Sequence, residues 1–230
     1  MKRRAVPLLL LLFPLLCCHL YAQESLRTII LPKPDTVGGK PLMQALKERR
    51  TSRSFSDTKL TDQVLSNLLW AAFGVNRPDG HRTAPSARNW QEIDIYVATA
   101  DGLFLFDAKT HSLKPLLEQD IRSQTGGQDF VAQAPVNLIY VADLRRVNVM
   151  STDETNVFTG ADCGFIAQNV YLYCASEGLS VVVRGSINKQ ELAYVMNLHP
   201  EQRIILAQTV GYPKKEPPER RENRIPNPGD

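Results

Sequence analysis

Apolar and polar positions alternate along this chain in two rhythms, one of helical period and one of period two. Leu42, Met43, Ala45 and Leu46 open a short helix that runs out in Lys47, Arg49 and Arg50. A second helix is predicted after Thr61, a good N-cap. Val64, Leu65, Leu68, Leu69 and Ala72 form its stripe, and Gly74 suits its stop. Residues 77–89 are polar and turn-rich, hence loop. Ile93, Ile95 and Val97 alternate with Asp94 and Tyr96 as a strand does, Asp101-Gly102 is a hairpin turn into a strand over 103–107, and a third strand is placed at 112–116.

Beyond that hairpin the pattern predicts a helix over 118–133, broken at Gly126-Gly127, and a nearly unbroken apolar run at 136–141. Such a run marks a central strand buried on both faces. The longest helix is predicted over 158–177. Phe165, Ile166, Val170, Tyr171, Leu172 and Cys174 make it apolar around most of its circumference, so it is expected to be central, and Gly178 ends it. A strand at 181–183, a helix at 189–197 and a strand at 204–210 follow. No internal repeat is present. Helices and strands alternate without a βαβ rhythm, which favours an α+β fold in one domain.

Composition changes this picture little. The chain has 230 residues, is 43% hydrophobic and 22% charged, and is therefore neither disordered nor collagen-like. Charge changes it more. Lys2, Arg3 and Arg4 account for the whole net charge of +3, and the rest balances 24 basic residues against 24 acidic ones. An overall positive field for nucleic acid is thus absent once residues 1–22 are set aside.

Residues 1–22 read as a secretory signal peptide. Lys2-Arg3-Arg4 precedes an apolar stretch from Ala5 to Leu16, and Leu20-Tyr21-Ala22 supplies a small residue for cleavage near Ala22. The stretch is too short to span a bilayer and is interrupted by Pro7 and Pro14. An uncleaved N-terminal anchor is the alternative; after cleavage no stable membrane insertion is expected. The mature chain is expected to be secreted or periplasmic, with a leader at 23–41, a domain at 42–213 and a charged, Pro-rich tail at 214–230.

The mature chain keeps two cysteines, Cys163 and Cys174, in one helical pattern and roughly 16 Å apart along its axis, too far to bridge. Cys163 reads as inert packing rather than a redox thiol. The histidines lack ligand spacing, and the sequence has no HExxH, GxSxG, P-loop or GxGxxG. No metal site is expected.

Three polar features remain. Arg49-Arg50-Thr51-Ser52-Arg53-Ser54-Phe55 gathers three guanidinium groups and three hydroxyls at a helix end, which is either a phosphate site or a solvated helix terminus favourable to cations. Pro85-Ser86-Ala87-Arg88-Asn89 is a polar loop before a strand. Val183-Arg184-Gly185 ends a buried strand, with a glycine that lets backbone approach a flat ligand.

Taken together these residues resemble the FMN-dependent nitroreductase family, in its SagB/thiazole-oxazole oxidase branch, over residues 42–213. The cluster at 49–55 is similar to the family's Arg-Arg-Ser-x-Arg-x-Phe opening, with Thr51 in the serine position. Residues 82–89 resemble its Pro-Ser loop. Gly126-Gly127-Gln128-Asp129-Phe130-Val131 and Ala134-Pro135-Val136 resemble its pre-strand segment, residues 162–169 the start of its central helix, and Gly211-Tyr212-Pro213 its closing Gly-Tyr-Pro.

The resemblance implies a nitroreductase-like fold, with a central mixed or antiparallel sheet flanked by helices, in an intertwined homodimer. It implies FMN as cofactor. Arg49, Arg50 and Thr51 would hold its phosphate and ribityl chain, and Arg53 would face the pyrimidine edge. Pro85, Ser86, Ala87 and Asn89 would contact FMN bound mainly to the other subunit. Gln128 would reach the polar edge of the ring, and Val183, Arg184 and Gly185 would lie against it with one backbone N–H at N5. Arg221 is the candidate for a further phosphate contact, with Arg220 or Lys215 as alternatives. The implied activity is ping-pong hydride transfer to a small-molecule substrate without a side-chain acid. Residues 150–157 lack the Lys-Tyr pair of azoline-oxidising relatives, which argues against peptide azoline oxidation. NAD(P)H is the usual donor, and an exported chain would draw on another. A flavin-binding protein for storage or sensing, and a cofactor-free scaffold, are the competing readings.

Overall fold

A computed structural model describes residues 27–148 and 151–214. The proposed signal with its cleavage point at Ala22, the tail at 215–230 and the candidate phosphate ligands Arg221, Arg220 and Lys215 lie outside the described residues.

Seven strands form a single sheet: β1 (Ile29–Ile30), β2 (Ile93–Thr99), β3 (Gly102–Asp107), β4 (Ser112–Leu117), β5 (Val136–Asp143), β6 (Ser180–Arg184) and β7 (Gln202–Gly211). Their order is β1-β4-β3-β2-β5-β7-β6, and every neighbouring pair is antiparallel. The fold is thus α+β as expected, with a wholly antiparallel sheet. Gly102, at φ 134°, makes the β2–β3 turn, and a Cβ there would meet the Leu117 carbonyl oxygen at 2.2 Å.

Among the described residues, five helices flank the sheet: α1 (Leu42–Glu48), α2 (Asp62–Phe73), α3 (Phe130–Gln133), α4 (Thr152–Glu177) and α5 (Lys189–Val195). Period-two alternation sends Ile93, Ile95, Val97, Leu138 and Tyr140 to one face, against Leu68, Leu69 and Phe73 of α2 and Cys163, Ile166 and Val170 of α4. Tyr96, Ala98, Ile139 and Val141 point to the other face, against Leu192 and Met196 around α5. Strand β5 is buried at all eight residues, which is why its sequence is a run rather than an alternation. Each fully buried leucine, such as Leu69, contributes about 2 kcal/mol relative to exposure.

Thr61 caps α2 by accepting from the Val64 N–H. Gly74 does end that helix, but in extended conformation (φ −71°). Glycine is needed there because a Cβ would lie 2.5 Å from the Trp70 ring. Helix α4 starts six residues earlier than the apolar pattern predicts. Ser151 and Glu154 form a reciprocal capping box, so a polar first turn precedes the apolar face.

One expectation is corrected and a second is borne out with a qualification. The segment 118–133 is not a broken helix: only a 3₁₀ turn at Arg122–Thr125 and the single turn of α3 are helical. Arg122 is forked on Asp120 and reaches the Ala134 carbonyl at 2.9 Å, which folds the segment back on itself. Helix α4 is central to the fold but not enclosed by it. Its inner face packs on α2 and the sheet, while Val157 (66% exposed), Phe158 (38%) and Phe165 (46%) face outward.

The segment read as a leader is tied to the rest of the fold. Ile29–Ile30 adds the edge strand β1 against β4, and Lys40 donates its backbone N–H to Ser176 Oγ at 2.8 Å and its Nζ to the Ala175 carbonyl at 3.1 Å.

Candidate functional site

An open groove of about 630 Å³ runs between the end of α1, the end of α4 and the edge of β6. That is ample for a cofactor-sized ligand. Lys40, Lys47, Arg49, Arg50 and Lys214 line it together with Ser52, Ser54, Ser180 and Val181. Lys40 is paired with Glu48 at 2.6 Å. Among the described residues, Lys47, Arg49, Arg50 and Lys214 have no ion-pair partner. A solvated helix terminus explains cations near Glu48, but not four unpaired cations converging on one concave wall. The donor set suits a phosphate.

The groove is tied to the sheet by one side chain. Tyr171 of α4 places its hydroxyl 3.0 Å from Thr51 Oγ1 and accepts the Val183 N–H at 3.0 Å. The Arg49 guanidinium lies over the same ring, 5.3 Å from its centroid. Ser52 donates its backbone N–H to the Val181 carbonyl at 2.9 Å and its Oγ accepts from Ser180 Oγ at 3.0 Å. Arg49, Arg50, Thr51 and Val183 are therefore one site, although 132 positions separate Thr51 from Val183. The Val183 N–H is consumed by Tyr171. Along an edge strand every second backbone group faces outward, so the next N–H in that row is that of Gly185. Gly185 is exposed, and a Cβ there would meet Leu206 only at ordinary contact distance, 3.6 Å.

Arg184 points the other way. Its guanidinium is buried and donates to Thr125 O at 2.7 Å, Asn137 Oδ1 at 3.1 Å and Thr209 Oγ1 at 3.0 Å, with no carboxylate. Burial pulls it down to about 10, still charged at neutral pH. Gly126 belongs to this arrangement: a Cβ there would sit 2.0 Å from Arg184 Nη1 and 2.9 Å from Gln128 Oε1. Gln128 Oε1 is itself buried without a hydrogen-bond partner, the condition of a polar group that awaits a ligand or water.

Arg53 is exposed and does not line the groove. Pro85, Ser86, Ala87 and Asn89 lie elsewhere. Their loop is pinned to Asp162, roughly 13 Å along α4 from Tyr171, so one chain does not bring them onto the groove. Pro85 and Asn89 are exposed. Burial pushes the Cys163 thiol up to about 12, which fits packing rather than redox chemistry. No metal-competent cluster and no helix able to cross a membrane occur among the described residues.

Sequence reasoning missed Tyr171 as anything but core, and missed Lys47 and Lys214 as groove residues. It also missed Thr125, Asn137 and Thr209 beneath Arg184. The available signals were small. A tyrosine in an apolar helix face needs a partner for its hydroxyl, and Lys214 directly follows the Gly-Tyr-Pro segment.

Comparison with known proteins agrees with this geometry. The Nitroreductase family model matches residues 46–212. A crystal structure of a candidate nitroreductase from Ralstonia eutropha superposes with a TM-score of 0.80 at 44% identity, covering 84% of this chain and 92% of that one. A candidate nitroreductase of Methanocaldococcus jannaschii is 30% identical over 167 residues, 68% of this chain and 84% of its own length. A third, from Desulfovibrio desulfuricans in complex with FMN, shares the fold at 22% identity, with a TM-score of 0.56 over 78% of this chain and 94% of that one.

Proposed function

The chain belongs to the nitroreductase family, and on that premise we propose that it is an FMN-dependent oxidoreductase acting on a small-molecule substrate. The observation that carries this reading is the convergence of unpaired Arg49 and Arg50 with the β6 residues Ser180 and Val181 in one groove, which Tyr171 ties to Thr51 and Val183. Bound FMN supplies a ring that takes up and releases hydride at N5. The chain's part is to hold and orient. Arg49 and Arg50, with Lys47 and Lys214, bind the phosphate, and Thr51 binds the ribityl chain. Gln128 offers its unpartnered amide oxygen to the polar edge of the ring. The Gly185 N–H, next in the outward row after Val183, is the backbone donor toward N5. Arg184 acts from below the strand, as a buried positive charge whose side chain is spent on Thr125, Asn137 and Thr209. Arg53 is the cation for the pyrimidine edge, and Arg221 a further phosphate ligand.

We read the protein as a homodimer. Val157, Phe158 and Phe165 leave the outer face of α4 apolar and uncovered, and Leu42, Met43 and Leu46 do the same on α1. Burying those faces against a second copy lets Pro85, Ser86, Ala87 and Asn89 of one subunit reach the site of the other. The branch is SagB-like, the reaction ping-pong, and the signal at residues 1–22 directs the mature chain out of the cytoplasm, where a donor other than NAD(P)H is required.

The test is to express the chain from Gln23 and record its visible spectrum with and without added FMN, then titrate anaerobically with NADH. Flavin bands at one FMN per chain support the reading. A colourless protein that ignores FMN overturns it, and a bound flavin that no donor reduces makes it a storage or sensing protein.

A further inference from the structure

The loop that follows Pro85 is strained. Arg88, Asn89 and Gln91 hold φ values of 50°, 56° and 49°, and none is glycine. Left-handed backbone at such residues costs roughly 1 kcal/mol or more each, and persists only where surrounding contacts enforce it. Two contacts do so. The Ala87 N–H donates to Asp162 Oδ2 at 2.8 Å. Ser86 Oγ donates to Glu92 Oε2 at 3.2 Å while accepting the Gln91 N–H at 2.8 Å. Ser86 and Ala87 are therefore held by two carboxyl groups, one from the residue before β2 and one from the middle of α4, while Gln91 is held by Arg82, Arg146 and the Gly80 carbonyl.

Both carboxyls are buried, Glu92 to 0% exposure and Asp162 to 2%. They bond adjacent residues of the loop, Ser86 and Ala87, and among the described residues neither has an ion-pair partner. Glu92 Oε1 is buried without a hydrogen-bond partner. Cys163, beside Asp162 on α4, is neutral at neutral pH. The charged groups on and after the adjoining strands, Asp94, Asp143, Arg145 and Arg146, are tied to one another. Arg82 is spent on Gln91 Oε1 and the Phe73 ring, Arg88 of the loop lies over the Trp90 ring, and Lys189 bears on the Cys163 side. No cation thus compensates the pair, and two adjacent buried carboxylates cannot both stay ionised without cost.

We propose that Glu92, carrying a proton, and Asp162 are the positioning residues of the loop, clasping Ser86 and Ala87 while the Glu92 proton is present and releasing them when it is lost. In the clasped state the Glu92 carboxyl is neutral, and each carboxyl keeps an oxygen for the loop. On deprotonation the proton passes to water, the two carboxylates repel, and the strained loop relaxes. Burial first, and the Asp162 charge second, raise Glu92 to about 7, which sets the release at neutral pH. This rests on the flavin reading only in its consequence, because Pro85, Ser86, Ala87 and Asn89 are ligand contacts under that reading.

The experiment uses the full chain carrying Trp70→Phe, which leaves Trp90 as the one tryptophan and places the reporter in the loop. Trp90 emission is followed between about pH 5 and pH 9, alongside the infrared band of protonated carboxyl. Both are expected to titrate together near pH 7. Glu92→Gln is neutral at every pH and keeps an acceptor for Ser86, so emission stays in its low-pH form throughout. Glu92→Ala is expected in the high-pH form throughout, and Asp162→Asn is expected to shift the Glu92 midpoint down. FMN affinity, read by quenching of flavin fluorescence, falls at least about fivefold across the same transition in the parent and stays level in Glu92→Gln. A transition that survives Glu92→Gln, or a carboxyl band absent at pH 6, overturns the clasp. If FMN binds at no pH, the proposed function fails while emission still decides the clasp; if FMN binds but Trp90 does not titrate, the clasp alone fails.

Discussion

The hydroxyl of Tyr171 accepts the backbone N–H of Val183 at 3.0 Å. The same oxygen meets Thr51 Oγ1 at 3.0 Å, so one phenol joins the arginine segment after α1 to the free edge of the sheet. Tyr171→Phe leaves the Val183 N–H without its partner. It is expected to cost about 1–3 kcal/mol in urea unfolding and to weaken FMN several-fold, measured by flavin fluorescence.

Charge at the groove is expected to recognise the phosphate rather than the ring. Arg49→Ala with Arg50→Ala removes two unpaired guanidinium groups and is expected to weaken FMN by roughly two orders of magnitude while riboflavin binding changes little. Calorimetry with both ligands checks this. Equal losses for the two would mean that the arginines act on the fold.

Gly126 and Arg184 depend on one another. With Gly126→Ala the new Cβ would lie 2.0 Å from Arg184 Nη1, forcing the guanidinium off Thr125, Asn137 and Thr209. The expected loss is about 3 kcal/mol, seen as a lower Tm. Ala at Gly127, where a Cβ would meet nothing within 4 Å, is the control.

Stability should fall, not rise, as pH passes from acid to neutral through the Glu92 transition. The folded-state value is raised from 4.5 to about 7, so Glu92 contributes stability that is fully present below about 4.5 and lost as pH rises through about 7. The amount is on the order of 3 kcal/mol. Burial works to raise Asp107 too, but Lys114 and the N–H groups of Thr110 and Lys109 bring it down to about 2, so its contribution disappears only in stronger acid. Urea midpoints at pH 5 and pH 8 test the sign, and Glu92→Gln is expected to remove most of the difference.

Phe165→Asp puts a charge on the exposed apolar face of α4 without touching the monomer core. Under the proposed dimer, sedimentation is expected to show a dimer for the parent chain and a monomer for the variant, with FMN affinity reduced as the proposed contacts at 85–89 are lost. An unchanged dimer would place the interface elsewhere.

Much of the fold was legible because its signals are local. The Thr61 cap, the β2–β3 turn at Gly102 and the unbroken run of β5 each depend on residues a few positions apart. So does the Ser151–Glu154 capping box, whose pattern was present in the sequence but lay outside the apolar stripe used to place α4. Segment 118–133 was misread because the Arg122 side chain is bound by Asp120 and the Ala134 carbonyl, and the Thr125 carbonyl by Arg184, partners that periodicity does not contain.

The candidate site divides in the same way. By itself the sequence determined which residue types cluster: the guanidinium groups at 49–53, the Pro-Ser loop and the strand end at 183–185. Only the tertiary structure decided that Thr51 and Val183 share one tyrosine, that Arg184 turns inward, that Arg53 stands outside the groove, and that Glu92 and Asp162 hold one loop between them. The reason is physical. Helix caps, turns and buried strands are set by short-range sterics and hydrogen bonding along the chain. The direction of a buried polar side chain is set instead by whichever distant groups satisfy it, and those are chosen by how the layers pack.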